Sequence, residues 1–308
     1  MQKTFKTIDE QIDILRGKGL IIDDEYDAKD ILLRENYFFL SGYRHPFLKD
    51  KKVRKFRENT NFRELYALFE FDRQLRNIIF KNLLIIENNM KSIFSYQLSK
   101  NYGFKERDYL KPSNFNTSNE KVRQVNDLLR KIKRQIRVNG GQHSATTHYI
   151  YNYGYIPLWV AIKVLSFGIV CELYSIMKKN DQEEIAEIFG LKVEDLLTFF
   201  PILANYRNLC AHEDILYDHR TATMIPTNKY HNMLGLVMKN DEVISGKNDL
   251  FALILILKSL LRDDEFRFML QEIDYEKSIL EGQLKTIKVD DILEIMGFPL
   301  NYTKLLEI

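Results

Sequence analysis

Apolar residues recur at helical spacing along most of the chain, and few stretches alternate strictly between apolar and polar positions. The longest pattern follows Asn61 and continues to about Asn101. Its apolar positions are Leu65, Leu68, Phe69, Leu75, Ile79, Leu83, Ile86, Met90, Ile93 and Leu98. This spacing predicts one long helix capped by Asn61, and the chain as a whole is predicted to be all-α.

Shorter helical patterns flank this long helix. Thr7 and Glu10 form a capping-box pattern before a short helix, and Asp23 or Asp24 precedes a second one. Further helices are predicted over 120–137 (capped by Ser118 or Asn119), 158–177, 182–189, 193–211, 249–261, 266–284 and 289–296. Gly168 is predicted to mark a close helix crossing. A Tyr-rich loop is predicted over 148–155, and the polar stretch 218–247 has no clear periodicity.

The chain contains no internal repeat, low-complexity tract or linker, so one compact unit is expected. Within it, we expect an N-terminal helical segment, residues 1–60, to pack on a helical domain, residues 61–284. Residues 285–308 are expected to form a C-terminal helical tail.

The composition limits the compartment and the partners of the protein. Lys and Arg exceed Asp and Glu by a net charge of only +2, so a nucleic-acid surface requires local segregation of charge. No apolar run is long enough to cross a membrane, and the start of the chain is not typical of a secretory signal. Cys171 and Cys210 lie in apolar helical contexts, which predicts buried, reduced thiols. These features favour a cytoplasmic protein without a membrane partner.

Candidate chemistry lies where the helix 193–211 ends. Arg207, Asn208 and His212 combine a permanent cation, an amide and an imidazole, which suit work on a phosphodiester. On an ideal helix Arg207 and His212 are about 140° apart, so convergence requires the long Arg side chain to reach round or the helix to end at His212. The alternative is a chance spacing with His212 as a partner of the helix dipole.

Two segments carry local positive charge. The segment 49–57 includes Lys51, Lys52, Arg54 and Lys55, and the helix 120–137 includes Arg123, Arg130, Lys131, Lys133, Arg134 and Arg137. Either segment is a candidate to contact RNA phosphates, and for each the alternative is an ordinary solvated surface. Binding to a membrane surface is a further alternative for the helix 120–137, although this helix contains no Trp. No regular His or Cys spacing, phosphate-binding glycine loop or paired acidic cluster occurs. We therefore expect no metal and no cofactor.

The motif and several other blocks resemble a known family. Arg207-Asn208-Leu209-Cys210-Ala211-His212 resembles the Arg-Asn-x-Cys-Ala-His signature of the abortive-infection (Abi) proteins of the AbiD/AbiF type, a branch of the HEPN superfamily. Similar blocks are Phe71-Asp72-Arg73-x-Leu75-Arg76, Tyr102-Gly103, His148-Tyr149, Tyr153-Gly154, Pro157-Leu158-Trp159-Val160-Ala161, Leu165-Ser166-Phe167-Gly168, Ile185-Ala186 and Phe189-Gly190-Leu191. The resemblance spans roughly residues 20–280.

The resemblance implies a HEPN-like helical bundle with extra N- and C-terminal helices. It also implies a metal-independent endoribonuclease, acting as a toxin in antiphage defence or in a toxin–antitoxin module. Arg207, Asn208 and His212 would be catalytic, and Glu87 and Lys91 would support them from the long helix. Related sites combine two motifs, so a homodimer is expected. Glu213 stands where many relatives have a second His, which puts full activity in doubt. The alternative is a non-catalytic RNA-binding protein that holds a small non-coding RNA.

Overall fold

The long predicted helix is the element on which most other helices pack. The computed structural model describes residues 4–236, 238–239, 242–243 (backbone only in these two pairs) and 245–307. In these ranges the α-helices are α1 (Ile8–Gly17), α2 (Glu25–Glu35), α3 (Tyr37–Leu40), α4 (Phe62–Tyr102), α5 (Glu106–Tyr109), α6 (Val122–Gly140), α7 (Ser144–Tyr153), α8 (Leu158–Ala161), α9 (Phe167–Ile176), α10 (Lys179–Ile188), α11 (Val193–Ala211), α12 (Lys229–Leu234), α13 (Leu250–Leu260), α14 (Asp263–Gln283) and α15 (Val289–Ile295). The predicted all-α class is confirmed.

Short 3₁₀-helices and hairpins complete the fold. The 3₁₀-helices are Ser41–Phe47, Pro112–Asn114, Ile162–Val164 and Tyr302–Leu306. Strand β1 (Leu48–Asp50) pairs antiparallel with β2 (Lys55–Phe56), and β3 (Met238–Lys239) pairs antiparallel with β4 (Glu242–Val243). Residues 1–3 at the start of the chain, and positions 237, 240, 241 and 244 of the polar stretch, lie outside the described residues.

Helix α4 begins where the sequence predicts. The Asn61 side chain accepts a hydrogen bond from the Arg63 amide at 2.9 Å, and the Glu64 carboxylate accepts one from the Asn61 amide at 3.2 Å. These bonds satisfy amides that have no partner within the helix. The helix continues for 41 residues and ends at Gly103, whose φ of +89° favours glycine.

The core forms around α4 because its apolar residues face several sides. Helix α14 packs along α4, and α9 and α11 pack on each other and on α4. Helix α13 is strongly apolar, and nearly all of its residues are buried. One hydrophobic cluster extends from Ile12 to Leu305 and includes both terminal segments. The proposed boundaries at residues 60 and 284 stay predictions.

The N-terminal segment packs against the chain that follows the motif. A Cβ atom at Gly42 would overlap the Ile215 side chain, so glycine permits this close approach. Beside it, the buried Tyr43 ring stacks on the Tyr217 ring with centroids 5.6 Å apart. The 3₁₀-helix Ser41–Phe47 therefore forms one wall behind the motif.

Several local predictions were wrong. The predicted loop 148–155 lies mostly in α7, where the rings of Tyr149 and Tyr153, four residues apart, pack with centroids 5.3 Å apart. The predicted helix 158–177 is broken between Val164 and Phe167. A Cβ atom at Gly168 would have no neighbouring atom within 4 Å among the described residues, so the predicted close helix crossing does not occur at this glycine. Helix α6 begins at Val122 after Lys121, without a side-chain cap from Ser118 or Asn119.

A buried carboxylate joins α4 to the C-terminal part of the chain. Glu64 is 2% exposed. Its Oε2 atom accepts hydrogen bonds from the Lys285 amide at 2.6 Å, the Thr286 amide at 2.7 Å and the Thr286 hydroxyl at 2.9 Å. The same side chain that caps α4 therefore also fixes the connection between α14 and α15.

Replacement of Glu64 by Ala should lower the free energy of unfolding by about 2–4 kcal/mol, because several buried donors lose their acceptor. Urea denaturation followed by circular dichroism measures the change. Glu70→Ala is the matched control, because Glu70 is an exposed carboxylate on the same helix. Equal stability of the two variants would show that the Glu64 contacts contribute nothing.

Candidate active site

The motif occupies the last turn of α11 and the turn after it. Helix α11 spans Val193–Ala211, as predicted, and buries Leu196, Phe200, Leu203 and Tyr206. Buried apolar residues thus fix the body of the helix, while its polar end reaches the surface. Asn208 and His212 are exposed, and Arg207 is half-buried.

The helix ends in a tight hydrogen-bonded turn. The Glu213 amide donates to the Cys210 carbonyl at 3.4 Å, and the Asp214 amide donates to the Leu209 carbonyl at 3.1 Å. This is the Schellman arrangement, in which the residue after the cap adopts a left-handed conformation. Glu213 occupies that position with φ of +57°, where glycine is the usual residue. The turn leaves His212 at the exposed tip of the helix.

Asp72 fixes the chain immediately beyond this turn. Its buried carboxylate accepts hydrogen bonds from the amides of Leu216 at 3.1 Å and Tyr217 at 2.7 Å. The Tyr43 hydroxyl donates to the same carboxylate at 2.7 Å. Helix α4, the N-terminal segment and the end of the motif therefore meet at one side chain.

Arg76 is the charged partner of Asp72. It lies one turn further along α4, is 3% exposed and donates to Asp72, to the Tyr43 hydroxyl at 3.1 Å and to the Asp214 carbonyl at 3.4 Å. Burial raises the pKa of the Asp72 carboxyl, while the Arg76 charge opposes that rise. Removal of either member of a buried carboxylate–guanidinium pair leaves the other as an uncompensated buried charge.

A second carboxylate on α4 contacts the motif Arg. The Arg207 Nε atom donates to Glu87 Oε2 at 3.3 Å, and Lys91 Nζ donates to Glu87 Oε1 at 2.7 Å. The side chains of Glu87 and Lys91 are each 10% exposed, and that of Arg207 is 30% exposed. The Arg207 guanidinium also lies 5.7 Å from the centre of the Phe80 ring. Contacts with Glu87 and Phe80 thus fix the side of Arg207 that faces α4.

The structure joins some predicted site residues and leaves others apart. Glu87, Lys91 and Arg207 form one hydrogen-bonded group. Within the described residues, the side chains of Asn208, His212 and Glu213 make no hydrogen bond to that group. All three are exposed, so they are free to face a ligand or a second chain. The catalytic roles given to these residues stay predictions.

Sequence reasoning missed His219. Its Nε2 atom lies 2.7 Å from Asn205 Oδ1, and its ring packs edge-on against Tyr206 at 5.1 Å. Burial lowers the pKa of this imidazole. Because His219 is 14 residues beyond Asn205, no local spacing indicated the pair. These contacts of His219 fix the chain that follows the motif against α11.

Neither thiol is set up as a nucleophile. Cys171 and Cys210 are free and buried, as predicted. Burial raises the pKa of Cys210 to about 12, so its reactive thiolate form is scarce at neutral pH. Among the described residues, no group of three or more His, Cys, Asp and Glu side chains could hold a metal ion, and we assign no metal ligands.

Both predicted basic segments are at the surface. Lys51, Lys52, Arg54 and Lys55 lie on or beside the β1–β2 hairpin, and all four are exposed. On α6, Val125, Leu129, Ile132 and Ile136 are buried, which leaves the cations outside. Arg130 pairs with Asp127, and Lys131 pairs with Glu172 at 3.2 Å. In the described part of the chain, Arg123, Lys133, Arg134 and Arg137 form no ion pair.

The fold and this helix tip define an all-α protein with a polar site at the end of a buried helix. The family model of the Abi-like proteins matches residues 30–218, which is more than half of the chain. The chain therefore belongs to the Abi-like protein family. The match is shorter than the expected 20–280, and it ends just after the segment fixed by Asp72. No curated protein and no solved structure matches the chain. The described residues include no helix with both the length and the apolar character to cross a membrane.

Replacement of Asp72 by Asn should lower the free energy of unfolding by about 3–5 kcal/mol, because the buried charge of Arg76 loses its partner. Urea denaturation measures the loss. Glu70→Gln is the control, because it makes the equivalent change at an exposed carboxylate on the same helix. Limited proteolysis should also show faster cleavage within 213–218. Wild-type stability and protection in Asp72→Asn would contradict the assigned role.

Replacement of Glu213 by Gly should instead stabilise the protein by about 0.5–1 kcal/mol, because glycine adopts the left-handed conformation without a Cβ penalty. The melting temperature from calorimetry measures the gain. Glu213→Ala is the control, because it removes the charge beside Arg73 but keeps the Cβ atom. A gain of the same size in the Ala variant would assign the effect to charge instead.

Proposed function

We propose that this protein is a metal-independent HEPN endoribonuclease that acts as a toxin in abortive-infection defence or in a toxin–antitoxin module. Membership of the Abi-like family suggests the defence role. The observation that carries the enzymatic proposal is the contact of Arg207 with Glu87 beside an exposed His212. The resemblance of residues 207–212 to the Abi signature supports the assignment to the HEPN superfamily.

The chemistry uses the nucleophile that RNA itself carries. His212 takes the proton of the ribose 2′-hydroxyl, or protonates the 5′-oxygen as it leaves. The 2′-oxygen attacks the adjacent phosphorus, and the bond from phosphorus to the 5′-oxygen breaks. The products are a 2′,3′-cyclic phosphate and a 5′-hydroxyl. Asn208, one helical turn before His212, holds a phosphate oxygen or the imidazole.

Arg207 stabilises the charge that develops on the phosphate. Glu87 binds its Nε atom at 3.3 Å, and in the described residues neither terminal nitrogen of Arg207 has a hydrogen-bond partner. These nitrogens can donate to two phosphate oxygens. Lys91 balances the charge of Glu87, so the group as a whole stays cationic toward an anionic substrate. Glu87 and Lys91 thus position Arg207 in the proposed site.

A complete site requires a second copy of the chain. Each motif supplies one Arg and one His at an exposed helix tip, and Glu213 stands in place of a second imidazole. A two-fold axis near the tip of α11 would bring two copies of Arg207 and His212 to one phosphodiester. We therefore propose a homodimer that cleaves RNA between its subunits.

The basic surfaces supply affinity for the RNA. The exposed cations of the β1–β2 hairpin and of α6 can neutralise phosphates along a strand. The same observation favours a second candidate function, a non-catalytic protein that holds a small non-coding RNA. Salt-sensitive binding of RNA by the wild-type protein without cleavage would support this alternative.

Replacement of His212 by Ala should reduce RNA cleavage by ~10²–10⁴-fold, because the proton-transfer group is lost. The assay incubates wild-type and variant protein with end-labelled RNA in EDTA and identifies the product ends. His143→Ala is the matched control, because His143 is an exposed imidazole away from the motif.

Because His212 lies at the surface, the His212→Ala protein should keep the fold, and thermal melting checks this. Cleavage by His212→Ala at the wild-type rate would contradict the assignment. Absence of cleavage by the wild-type protein, with tight RNA binding, would favour the second function.

A further inference from the structure

A cleft of about 590 Å³ lies between α6 and the chain that surrounds α5. Four cations, Arg107, Lys111, Lys133 and Arg137, line it. None of the motif residues belongs to this cleft. Lys91, the supporting residue nearest the end of α4, precedes Tyr102 by 11 residues, which is about 16 Å of helix. All residues that line the cleft follow the end of α4 in the sequence, from Glu106 onward.

The positive charge of this cleft is poorly compensated. Lys133 and Arg137 have no ion pair among the described residues, and Arg107 and Lys111 reach only Asp108, at 4.0 Å and 3.7 Å. The one carboxylate in the lining, Glu106, already accepts the Ile156 amide at 2.8 Å. Four cations around one concave surface favour an anion with several oxygens.

The floor of the cleft is apolar. Leu110, Ile136 and Ile156 are buried there, and Ile150 is 49% exposed at the edge. A free phosphate needs no apolar floor, whereas a nucleobase has two apolar faces that can pack on one. The volume is also in the range of sites for small organic ligands.

We propose that this cleft binds a nucleoside phosphate, with its phosphates on the four cations and its base against Ile150 and Ile156. The ligand is either a free nucleotide or the terminal nucleotide of an RNA strand. The inference does not depend on the proposed nuclease activity, because the cleft and the motif share no residue.

The test measures binding to the full-length His212→Ala protein by isothermal titration calorimetry, so that RNA ligands stay intact. The probes are ATP, adenosine, inorganic tripolyphosphate, and a hexaribonucleotide with either a 5′-phosphate or a 5′-hydroxyl. We expect ATP or the 5′-phosphorylated RNA to bind at least about tenfold more tightly than adenosine and tripolyphosphate. Preference for ATP identifies a free nucleotide, and preference for the phosphorylated RNA identifies a strand end.

A pair of double variants locates the site. Lys133→Ala with Arg137→Ala should weaken binding by at least about tenfold. Arg34→Ala with Lys179→Ala should leave it within twofold, because it removes the same charge from exposed side chains on α2 and α10. Ile150→Ser should weaken binding of the nucleotide but not of tripolyphosphate.

Three results would overturn the proposal. The first is no binding of any probe at millimolar concentration. The second is an equal loss in the two double variants, which would indicate a general effect of the positive charge of the protein. The third is binding of tripolyphosphate as tightly as the nucleotide, which would show that the base is not recognised.

Discussion

Asp72 and Arg76 bring three parts of the chain together at one buried pair of charges. Asp72 holds the amides of residues 216 and 217, and Arg76 holds the carbonyl of residue 214, so α4 fixes the chain just beyond the motif. Tyr43 adds the N-terminal segment to the same group. Burial makes each of these polar groups costly to leave unpaired, so the loss of one member destabilises the others. The exposed position of His212 follows from it.

The position of the motif is therefore fixed by contacts on both sides of it along the chain. Buried apolar residues fix α11, and the hydrogen bonds of Asp72 fix residues 216 and 217. A single turn joins these two segments, and Glu213 adopts a left-handed conformation in it. On the near side Glu87 turns the Arg207 side chain toward α4. Among the described residues no hydrogen bond joins Arg207 to His212, so the convergence of these two side chains stays a prediction.

Cations on the surface of α6 serve two different environments. Arg123, Arg130, Lys131 and Arg134 surround an open depression with Glu172 and Asp127, whereas Lys133 and Arg137 face the apolar cleft beside α5. One amphipathic helix can therefore contribute both to strand binding and to a defined pocket. The net charge of +2 does not reveal these surfaces, because Lys and Arg outnumber Asp and Glu by only two over the whole chain.

Periodicity by itself determined the class of fold, the bounds of α4 and α11 to within a residue, and the capping of α1 and α4, because these depend on contacts within a few residues. The motif spacing also indicated where polar groups gather. Neither the periodicity nor the motif revealed the break at Leu165, the helix over 144–153 or the partners of Asp72, Arg76 and His219. The partners of Asp72, Arg76 and His219 lie far from them in sequence, and only tertiary packing brings them together. The resemblance indicated that Glu87 supports the motif, but its contact with Arg207, 120 positions away, is formed only by the fold.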